Sequence, residues 1–322
     1  MGFKVAFTDY YYPDLSAERE VFSGTGIEIA DYNGKCKTEE DTIKFVKDAD
    51  AIVTQFTPIT ANVINNLERC KIIVRYAIGL DIIDIEAATN KGIMVANVPD
   101  YCVEEVANQA MALMLGVLRK LTVMDREVHQ GNWSYKKAEP LYRLSEMNLG
   151  LIAFGKIAQE FVKRAKGFNF KNIYVHDPYF KPDQSFSDIE FVSLEELLKE
   201  SDVVSIHAPA TEKTKNMINK DTLALMKNGS FIINTSRGAL INEEDLAEAL
   251  KKGKLAGAGL DVLKKEEITL DNPLLEIENV IITPHMGWYS VDSIRELQKK
   301  VAQQVREALL EGKPTYWANP FN

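Results

Sequence analysis

The chain has 322 residues, of which 46% are hydrophobic and 26% charged, and its formal net charge is −9 at pH 7. This length is enough for about two domains, and the acidic balance argues against a nucleic-acid partner, which would need a basic face. No apolar run is long enough to span a membrane, and the first residues do not resemble a signal peptide. The three cysteines are widely spaced without a CxxC pair, so we expect free thiols in a reducing cytoplasm and no metal site.

The first part of the chain, residues 1–98, alternates apolar runs with helical patterns. The apolar runs KVAFT, AIVTQ, KIIVRY and IMVANV predict strands, and the stretches 38–47, 60–67 and 84–91 predict helices between them. Alternation of this kind is typical of a parallel sheet with helices on both faces. We therefore expect a complete small α/β domain here.

Residues 101–130 read as one long helix with a wide apolar stripe. The stripe consists of Val103, Val106, Ala107, Ala110, Leu113, Met114, Val117, Leu118 and Leu121. Two interpretations stay open. The stripe packs against its own domain, or it forms a dimer interface, because so broad a stripe can need two partners. We favour the second and expect a homodimer.

Residues 149–178 predict a strand, a glycine turn, a helix and a second strand that ends at Asp177. This βαβ unit is typical of dinucleotide binding, in which the helix N-terminus receives the pyrophosphate. The G-x-G-x-x-G pattern appears as Ala153, Gly155 and Ala158. Only Gly155, where the backbone must approach a phosphate, is kept, and a positive φ at Ala153 would cost roughly 1 kcal/mol. A strand, turn and helix of any α/β protein is the alternative.

The acidic residue after the second strand indicates which dinucleotide would bind. Asp177 follows Gly155 at close to the ~20 residues expected for a carboxylate that binds the ribose hydroxyls. An acid at this position favours NAD, whereas NADP would need an arginine nearby.

The alternation of helices and strands resumes up to residue 286. A last amphipathic helix at about 290–311 is expected to return to the first domain and leave a cleft between the two domains. The predicted domains are therefore 1–98 with 287–322, and 99–286. Polar residues follow several predicted strands of the second domain, where ligands bind in open parallel sheets: Asp177, His207, the run 234–238, Asp261 and His285.

Three motifs in order resemble the D-isomer-specific 2-hydroxyacid dehydrogenase family. They are TSRGALIN (235–242), GLDVLKKEE (259–267) and ITPHMGW (282–288), and the similarity extends over essentially the whole chain. Within the family, the motifs TPHMGWYS, VRYAIGLD and VPDYCVEEVA are most similar to the branch that contains the C-terminal binding proteins and D-3-phosphoglycerate dehydrogenases. The resemblance implies two doubly wound parallel-sheet domains, a flavodoxin-like substrate domain and a Rossmann NAD domain.

The resemblance implies catalytic roles for three residues. Arg237 would hold the substrate and polarise its carbonyl with a fixed fork of donors. His285 would act as general acid and base, and Glu266 would favour its protonated form. Glu267 is a competitor one residue away, because the run Lys264 to Glu267 also reads as a solvated charged loop.

The resemblance also implies binding residues. Arg75, Ile78 and Gly79 would grip the substrate carboxylate, although Arg75 at a strand end can equally form an ion pair. Trp288 would contact the substrate, or it packs as an aromatic residue at the domain hinge. The implied cofactor contacts are Phe154, Gly155, Lys156, Ile157, Asp177, Pro178, His207, Pro209, Thr235, Ser236, Arg237, Asp261 and His285.

The function predicted from these residues and from the resemblance is reduction of a small 2-oxo acid to the D-2-hydroxy acid by an NAD-dependent enzyme. The alternative is an NAD(H)-sensing protein, similar to the C-terminal binding proteins, that presents a surface to partners with little turnover. The substrate stays open among hydroxypyruvate, glyoxylate, phosphohydroxypyruvate and branched 2-oxo acids. A phosphorylated substrate ranks lower, because no third basic residue stands out beside Arg75 and Arg237.

Overall fold

The computed structural model describes residues 2–321, which form two compact units. One unit contains the residues up to Tyr101 together with those from Ser290 onward, and the other extends from Cys102 to Tyr289. The chain thus crosses from one unit to the other twice. The assignment of a substrate role to one unit and a dinucleotide role to the other remains a prediction at this stage.

A five-stranded sheet forms the centre of the first unit. Its strands are β1 (Phe3–Phe7), β2 (Ile27–Asp31), β3 (Ala51–Thr54), β4 (Ile72–Arg75) and β5 (Met94–Ala96). All neighbouring pairs are parallel, in the order β2-β1-β3-β4-β5. This is the flavodoxin-like order, and it confirms the predicted α/β class of this part of the chain. The middle strands β3 and β4 are buried along their whole length, as the continuous apolar runs predict.

Four helices connect these strands: α1 (Ser16–Phe22), α2 (Glu39–Val46), α3 (Ala61–Asn65) and α4 (Ile85–Asn90). Side chains of Thr38, Thr60 and Asp84 cap the last three by accepting hydrogen bonds from amides in the first turn. Helix α1 and strand β2 were not predicted. The apolar pattern of α1 is masked by Glu18, which lies fully buried and accepts a hydrogen bond from the hydroxyl of Tyr76.

A seven-stranded parallel sheet forms the centre of the second unit. Its strands are β6 (Asn148–Ile152), β7 (Asn172–His176), β8 (Glu190–Phe191), β9 (Val203–Ile206), β10 (Ser230–Asn234), β11 (Leu255–Leu260) and β12 (Val280–Ile282). The spatial order is β8-β7-β6-β9-β10-β11-β12. Its first six positions have the Rossmann order 3-2-1-4-5-6, with a seventh strand added. The order reverses between β6 and β9, so a ligand of this sheet is expected beyond the carboxyl ends of these two strands.

The helices of the second unit are α5 (Val103–Leu118), α6 (Leu121–His129), α7 (Lys156–Ala165), α8 (Leu194–Glu200), α9 (Lys220–Leu225) and α10 (Glu243–Lys251). The prediction of one continuous helix over 101–130 is wrong. Lys120 has a left-handed backbone with φ of +50°, which ends the hydrogen-bond ladder of α5 before α6 begins.

The apolar stripe of α5 is buried within its own unit. Ala107, Ala110, Met114 and Val117 have almost no exposed surface, and the helix packs against α7 and the sheet strands β10 and β11. The last residue of the predicted stripe, Leu121, lies outside α5 and is 57% exposed. For the part of the stripe on α5, the first of the two interpretations is correct. A second copy of the chain is not needed to cover it.

The last helix, α11 (Val291–Arg306), belongs to the first unit and is continued by a π-helical turn, Glu307–Glu311. It packs against α1, where the side-chain amide of Gln298 donates to the carbonyl of Asp14 at 2.9 Å and to the carboxylate of Glu18 at 3.1 Å. Within residues 2–321, no helix has the length and apolar character to cross a membrane. The same residues contain no group of three His, Cys, Asp or Glu side chains suited to a metal ion.

Candidate active site

The turn after β12 holds His285 in an unusual backbone conformation. Its φ is +51°, in the left-handed region that side chains other than glycine and asparagine rarely adopt. Both of its backbone polar groups are bonded. The N–H donates to the carbonyl of Asp261 at 2.8 Å, and the carbonyl accepts from the indole N–H of Trp288 at 2.8 Å. Trp288 therefore braces the turn that presents the imidazole.

The buried carboxylate of Asp261 fastens the same turn. It accepts from the hydroxyl of Thr283 at 2.5 Å, the amide of Met286 at 3.0 Å and the amide of Gly287 at 2.8 Å. A Cβ at Gly287 would lie 2.8 Å from a carboxylate oxygen, so only glycine allows this approach. Asp261, predicted as a cofactor contact, is thus also a support for His285.

Glu266 is the acidic residue that reaches the imidazole. Its Oε1 lies 2.6 Å from Nδ1 of His285. A carboxylate only accepts hydrogen bonds, so Nδ1 carries the proton and donates it to Glu266. The other ring nitrogen, Nε2, takes no part in this contact. This is the arrangement in which a histidine transfers a proton through Nε2 while the carboxylate stabilises its charged form.

The turn that carries Arg237 follows β10 and is shaped by Asn234. The side-chain amide of Asn234 donates to the carbonyl of Arg237 at 2.9 Å, and its oxygen accepts from the amide of Ser236 at 3.0 Å. The Ser236 hydroxyl then donates to the carbonyl of Ile206 at 3.0 Å. Asn234 belongs to the polar run 234–238 predicted at this strand end, and its fully buried side-chain amide is satisfied by these local partners.

The turn after β6 has the features of an anion site. Ala153 has a φ of +70°, so the strain expected from the missing first glycine is present. Gly155 is the N-cap of α7, and a Cβ added to it would meet no protein atom within 4 Å. The first turn of α7 contains no acidic side chain, and its free amides point out of the helix. Packing within the protein does not require glycine at 155, and the open space there is consistent with the ligand approach that the sequence predicts.

Asp177 links the ends of β6 and β7. One carboxylate oxygen accepts from the amide of Phe154 at 2.8 Å, and the other accepts from the amides of Tyr179 and Phe180 at 2.8 and 3.1 Å. The half-buried carboxylate thus stands beside the glycine turn, with Pro178 exposed next to it. Lys156 and Ile157 follow in the first turn of α7.

Two buried polar atoms lie at the carboxyl ends of β9 and β10 without hydrogen-bond partners among the described residues. They are Nδ1 of His207 and the hydroxyl oxygen of Thr235. Nε2 of His207 lies 2.9 Å from the hydroxyl of Ser205. Burial lowers the pKa of His207 from 6.5 to about 4, so its ring is neutral at pH 7. Unpaired buried polar atoms beside the reversal of strand order suit a polar ligand.

The predicted substrate residues of the first unit lie at and after the end of β4. Arg75 is buried, and its guanidinium donates to the carboxylate of Asp81 at 3.0 Å and to the carbonyl of Gln55 at 3.4 Å. The strand-end ion pair that was considered for Arg75 is therefore present. Ile78 and Gly79 follow in a half-exposed loop, where Asn97 donates to the carbonyl of Ile78 at 2.5 Å.

The low pKa of His207 makes the folded state sensitive to acid. Below pH 6.5 the unfolded chain takes up a proton that the folded chain accepts only near pH 4, so stability falls as the pH falls. At pH 5 this residue should lower the free energy of unfolding by about 2 kcal/mol. Urea denaturation at pH 7 and pH 5 should show a smaller acid loss in His207→Gln than in the wild type. An exposed control, His129→Gln, should lose as much as the wild type, and an equal loss in His207→Gln would contradict the assignment.

Comparison with known proteins gives one family. A family model described as D-isomer specific 2-hydroxyacid dehydrogenase, NAD binding domain, matches residues 111–287. The chain is 40% identical over 275 residues to a D-3-phosphoglycerate dehydrogenase of Methanocaldococcus jannaschii, covering 84% of this chain but 52% of the relative. This chain thus spans about half of that relative's length.

Two further matches cover most of both chains. A glyoxylate reductase of Korarchaeum cryptofilum is 38% identical over 84% of this chain and 82% of its own length. The structure of a D-lactate dehydrogenase from Aquifex aeolicus, complexed with NAD and lactic acid, is 27% identical with a TM-score of 0.87, over 99% of this chain and 100% of that one. The chain belongs to the D-isomer specific 2-hydroxyacid dehydrogenase family, and its residues 111–287 are the NAD-binding domain of that family.

Proposed function

We propose that this protein is an NAD-dependent oxidoreductase that reduces a small 2-oxo acid to the D-2-hydroxy acid. The observation that carries the proposal is the 2.6 Å contact between Nδ1 of His285 and the carboxylate of Glu266, on a turn braced by Asp261. A structural ion pair does not need a backbone held at positive φ, whereas a catalytic group that must be aimed at a ligand can use one.

In this proposal His285 moves the proton. Protonated Nε2 donates to the carbonyl oxygen during reduction and takes the proton back in the oxidative direction. Glu266 keeps Nδ1 protonated and stabilises the charged ring, so the ring exchanges only the Nε2 proton. The bound nicotinamide supplies or accepts the hydride.

Arg237 is proposed to bind the substrate. Its guanidinium donates to the carboxylate and the carbonyl oxygen, and its charge stabilises the negative charge that develops on that oxygen. The turn that presents it is fixed by Asn234 and by Gly238, whose backbone is packed against Leu263 so closely that a Cβ would lie 2.0 Å from the Leu263 carbonyl carbon. Arg75, with the amides of Ile78 and Gly79, is proposed to bind the substrate carboxylate from the first unit.

The residues of the second unit suit a dinucleotide. The open space at Gly155 and the free amides of the first turn of α7 would accept the pyrophosphate, and Asp177 would bind the ribose hydroxyls. The unpaired polar atoms of His207 and Thr235 stand at the strand ends where a nucleotide would pass. The remaining cofactor contacts proposed are Phe154, Lys156, Ile157, Pro178, Pro209, Ser236, Arg237, Asp261 and His285.

The names of the relatives support a small 2-oxo or 2-hydroxy acid as the proposed substrate. They include reductases of glyoxylate and hydroxypyruvate, and a lactate dehydrogenase. We propose an unphosphorylated acid, because a phosphate would need further cationic groups beside Arg75 and Arg237. Trp288 is proposed to contact the substrate side chain in addition to bracing His285.

We further infer a cytoplasmic homodimer. Cys36, Cys70 and Cys102 are all free thiols, as expected in a reducing compartment. The surface proposed for the second copy is the exposed arm, residues 121–142, which displays large apolar side chains: Leu121, Val128, Trp133, Tyr135, Leu141 and Tyr142. Such a concentration of exposed aromatic groups is typical of protein interfaces, and a second copy would bury the same arm symmetrically.

The cofactor assignment predicts that a substitution at Gly155 weakens NADH binding without lowering the free energy of unfolding. Gly155→Ala should leave the free energy of unfolding unchanged or raise it by up to ~1 kcal/mol, because φ is −72° and the new methyl meets no protein atom. The same methyl should weaken NADH binding by at least roughly tenfold, since it occupies the approach of the pyrophosphate. Fluorescence titration with NADH and urea denaturation measure both. Ala153→Gly, which relieves the positive φ, should retain NADH binding, and unchanged affinity in Gly155→Ala would count against the site.

The proposed activity is tested by following NADH oxidation with a panel of glyoxylate, hydroxypyruvate, pyruvate, phosphohydroxypyruvate and branched 2-oxo acids, with NADPH alongside. We expect turnover of an unphosphorylated acid with NADH. His285→Ala should lower kcat by ~10²–10⁴-fold with NADH binding retained, because it removes the proton donor. His129→Ala, at the exposed C-terminal end of α6, is the control. Tight NADH binding without turnover of any acid would instead favour the NAD(H)-sensing alternative.

The homodimer is tested by light scattering after size exclusion. The wild type should have twice the mass of the chain. The double variant Trp133→Asp/Tyr142→Asp should have the mass of one chain, since two carboxylates would be buried in the interface. Tyr179→Asp changes an equally exposed tyrosine outside the arm and should remain a dimer. A dimeric double variant would exclude the arm as the interface.

A further inference from the structure

The segment that carries Glu266 is an exposed stretch of irregular backbone. Residues 264–271 are exposed throughout and contain no helix or strand. Buried side chains bracket them, with Leu263 8% exposed on one side and Leu274 1% exposed on the other. Fixing the backbone of each such residue lowers the conformational entropy of the chain. The contacts at the two ends of this segment therefore contribute to the position of Glu266 against His285.

The carboxylate of Glu243, the first residue of α10, accepts hydrogen bonds from both ends of this segment. Its Oε1 accepts the backbone N–H of Lys264, and its Oε2 accepts the side-chain N–H of Asn272 at 3.3 Å. The oxygen of the same Asn272 side chain accepts from the amide of Leu274 at 3.0 Å. A single side chain thus links the start and the end of the exposed segment, two residues before Glu266 and six after it.

The same carboxylate connects this segment to the turn of Arg237. Glu243 follows Arg237 closely in the chain, on the helix that begins after the turn. Gly238 makes that turn touch the backbone at Leu263 and Lys264, with no room for a Cβ. The Arg237 turn, the N-terminus of α10 and the base of the Glu266 segment are therefore one packed group.

We propose that Glu243 is a positioning residue that holds the segment 264–272 so that the Glu266 carboxylate stays against Nδ1 of His285. This inference rests on the proposed function for its catalytic meaning. Without the two bonds of Glu243, the exposed segment samples more conformations, and the Glu266 carboxylate spends less time at the imidazole.

Glu244→Ala is the matched control for the effect that removal of Glu243 has on helix α10 itself. Glu243 and Glu244 both lie in the first turn of α10, where an acidic side chain interacts favourably with the helix dipole. Removing either one takes away the same charge from the same turn. Glu244 is exposed and stands outside the group described above, so Glu244→Ala reproduces the helix effect without releasing the segment.

The test records the NMR signals of the His285 imidazole in the protein without substrate. The chain has four histidines, so ring ¹⁵N resonances of His285 can be assigned with a His285→Gln variant. Loss of the carboxylate partner in Glu266→Gln defines the resonance position of the released ring. In Glu243→Ala the His285 signals should move towards that position, whereas in Glu244→Ala they should match the wild type. Glu243→Gln keeps an oxygen that accepts from Lys264 but places an NH2 group, which cannot accept, against the side-chain N–H of Asn272, so its His285 signals should lie between those of the wild type and Glu243→Ala.

Kinetics give the second readout. Glu243→Ala should lower kcat roughly tenfold with the KM for NADH unchanged, because the proton donor is misaligned while the cofactor residues are intact. Signals of His285 that coincide in Glu243→Ala and Glu244→Ala would overturn the proposal. Should Glu243→Ala fail to fold, Asn272→Ala removes one of the two bonds from the other side, and the same criterion applies. A protein that reduces no 2-oxo acid yet shows the expected resonances would refute the proposed function and leave the positioning role intact.

Discussion

The buried carboxylate of Asp261 is the interaction on which the candidate active site depends. It accepts three hydrogen bonds from the segment 283–287, and its own backbone carbonyl accepts the amide of His285. These contacts hold His285 at a positive φ that would otherwise be unfavourable by about 1–2 kcal/mol. An imidazole carried on a relaxed loop would point elsewhere, and the carboxylate of Glu266 would then lack its partner. Asp261 thus supports the position of His285 without itself having to take part in a reaction.

Carboxylates also fix the loops at other strand ends of the molecule. Asp9, just after β1, is 1% exposed and accepts the amides of Gln55, Phe56 and Thr57 after β3. Asp177, after β7, accepts the amide of Phe154 after β6. In each case a carboxylate at one strand end supplies the acceptor that the loop after another strand lacks. Parallel sheets gather such loops at one edge, where their free amides need acceptors, and a short acidic side chain meets this need in both units.

Prediction from sequence succeeded where a local pattern carries the information and failed where distant contacts override it. The strand, turn and helix around Gly155 were found because apolar periodicity and a glycine mark them. Helix α1 was missed, since its buried Glu18 is satisfied by Tyr76 and Gln298 from remote segments. The break at Lys120 was missed because its left-handed backbone leaves no signature in the residue type. Likewise nothing local in Glu243 shows that it binds a loop about twenty residues away.

The sequence by itself determined that this is an α/β protein of alternating helices and strands, and it placed arginine, acidic and histidine side chains after particular strands. It did so because apolar periodicity and the order of polar motifs are properties of the chain alone. Only the tertiary structure decided that Glu266 contacts His285 where Glu267 was a competitor, that the stripe on α5 is covered by its own unit, and that Asp261 supports the histidine turn. Those outcomes depend on loop paths, and the paths are set by hydrogen bonds between residues far apart in the sequence.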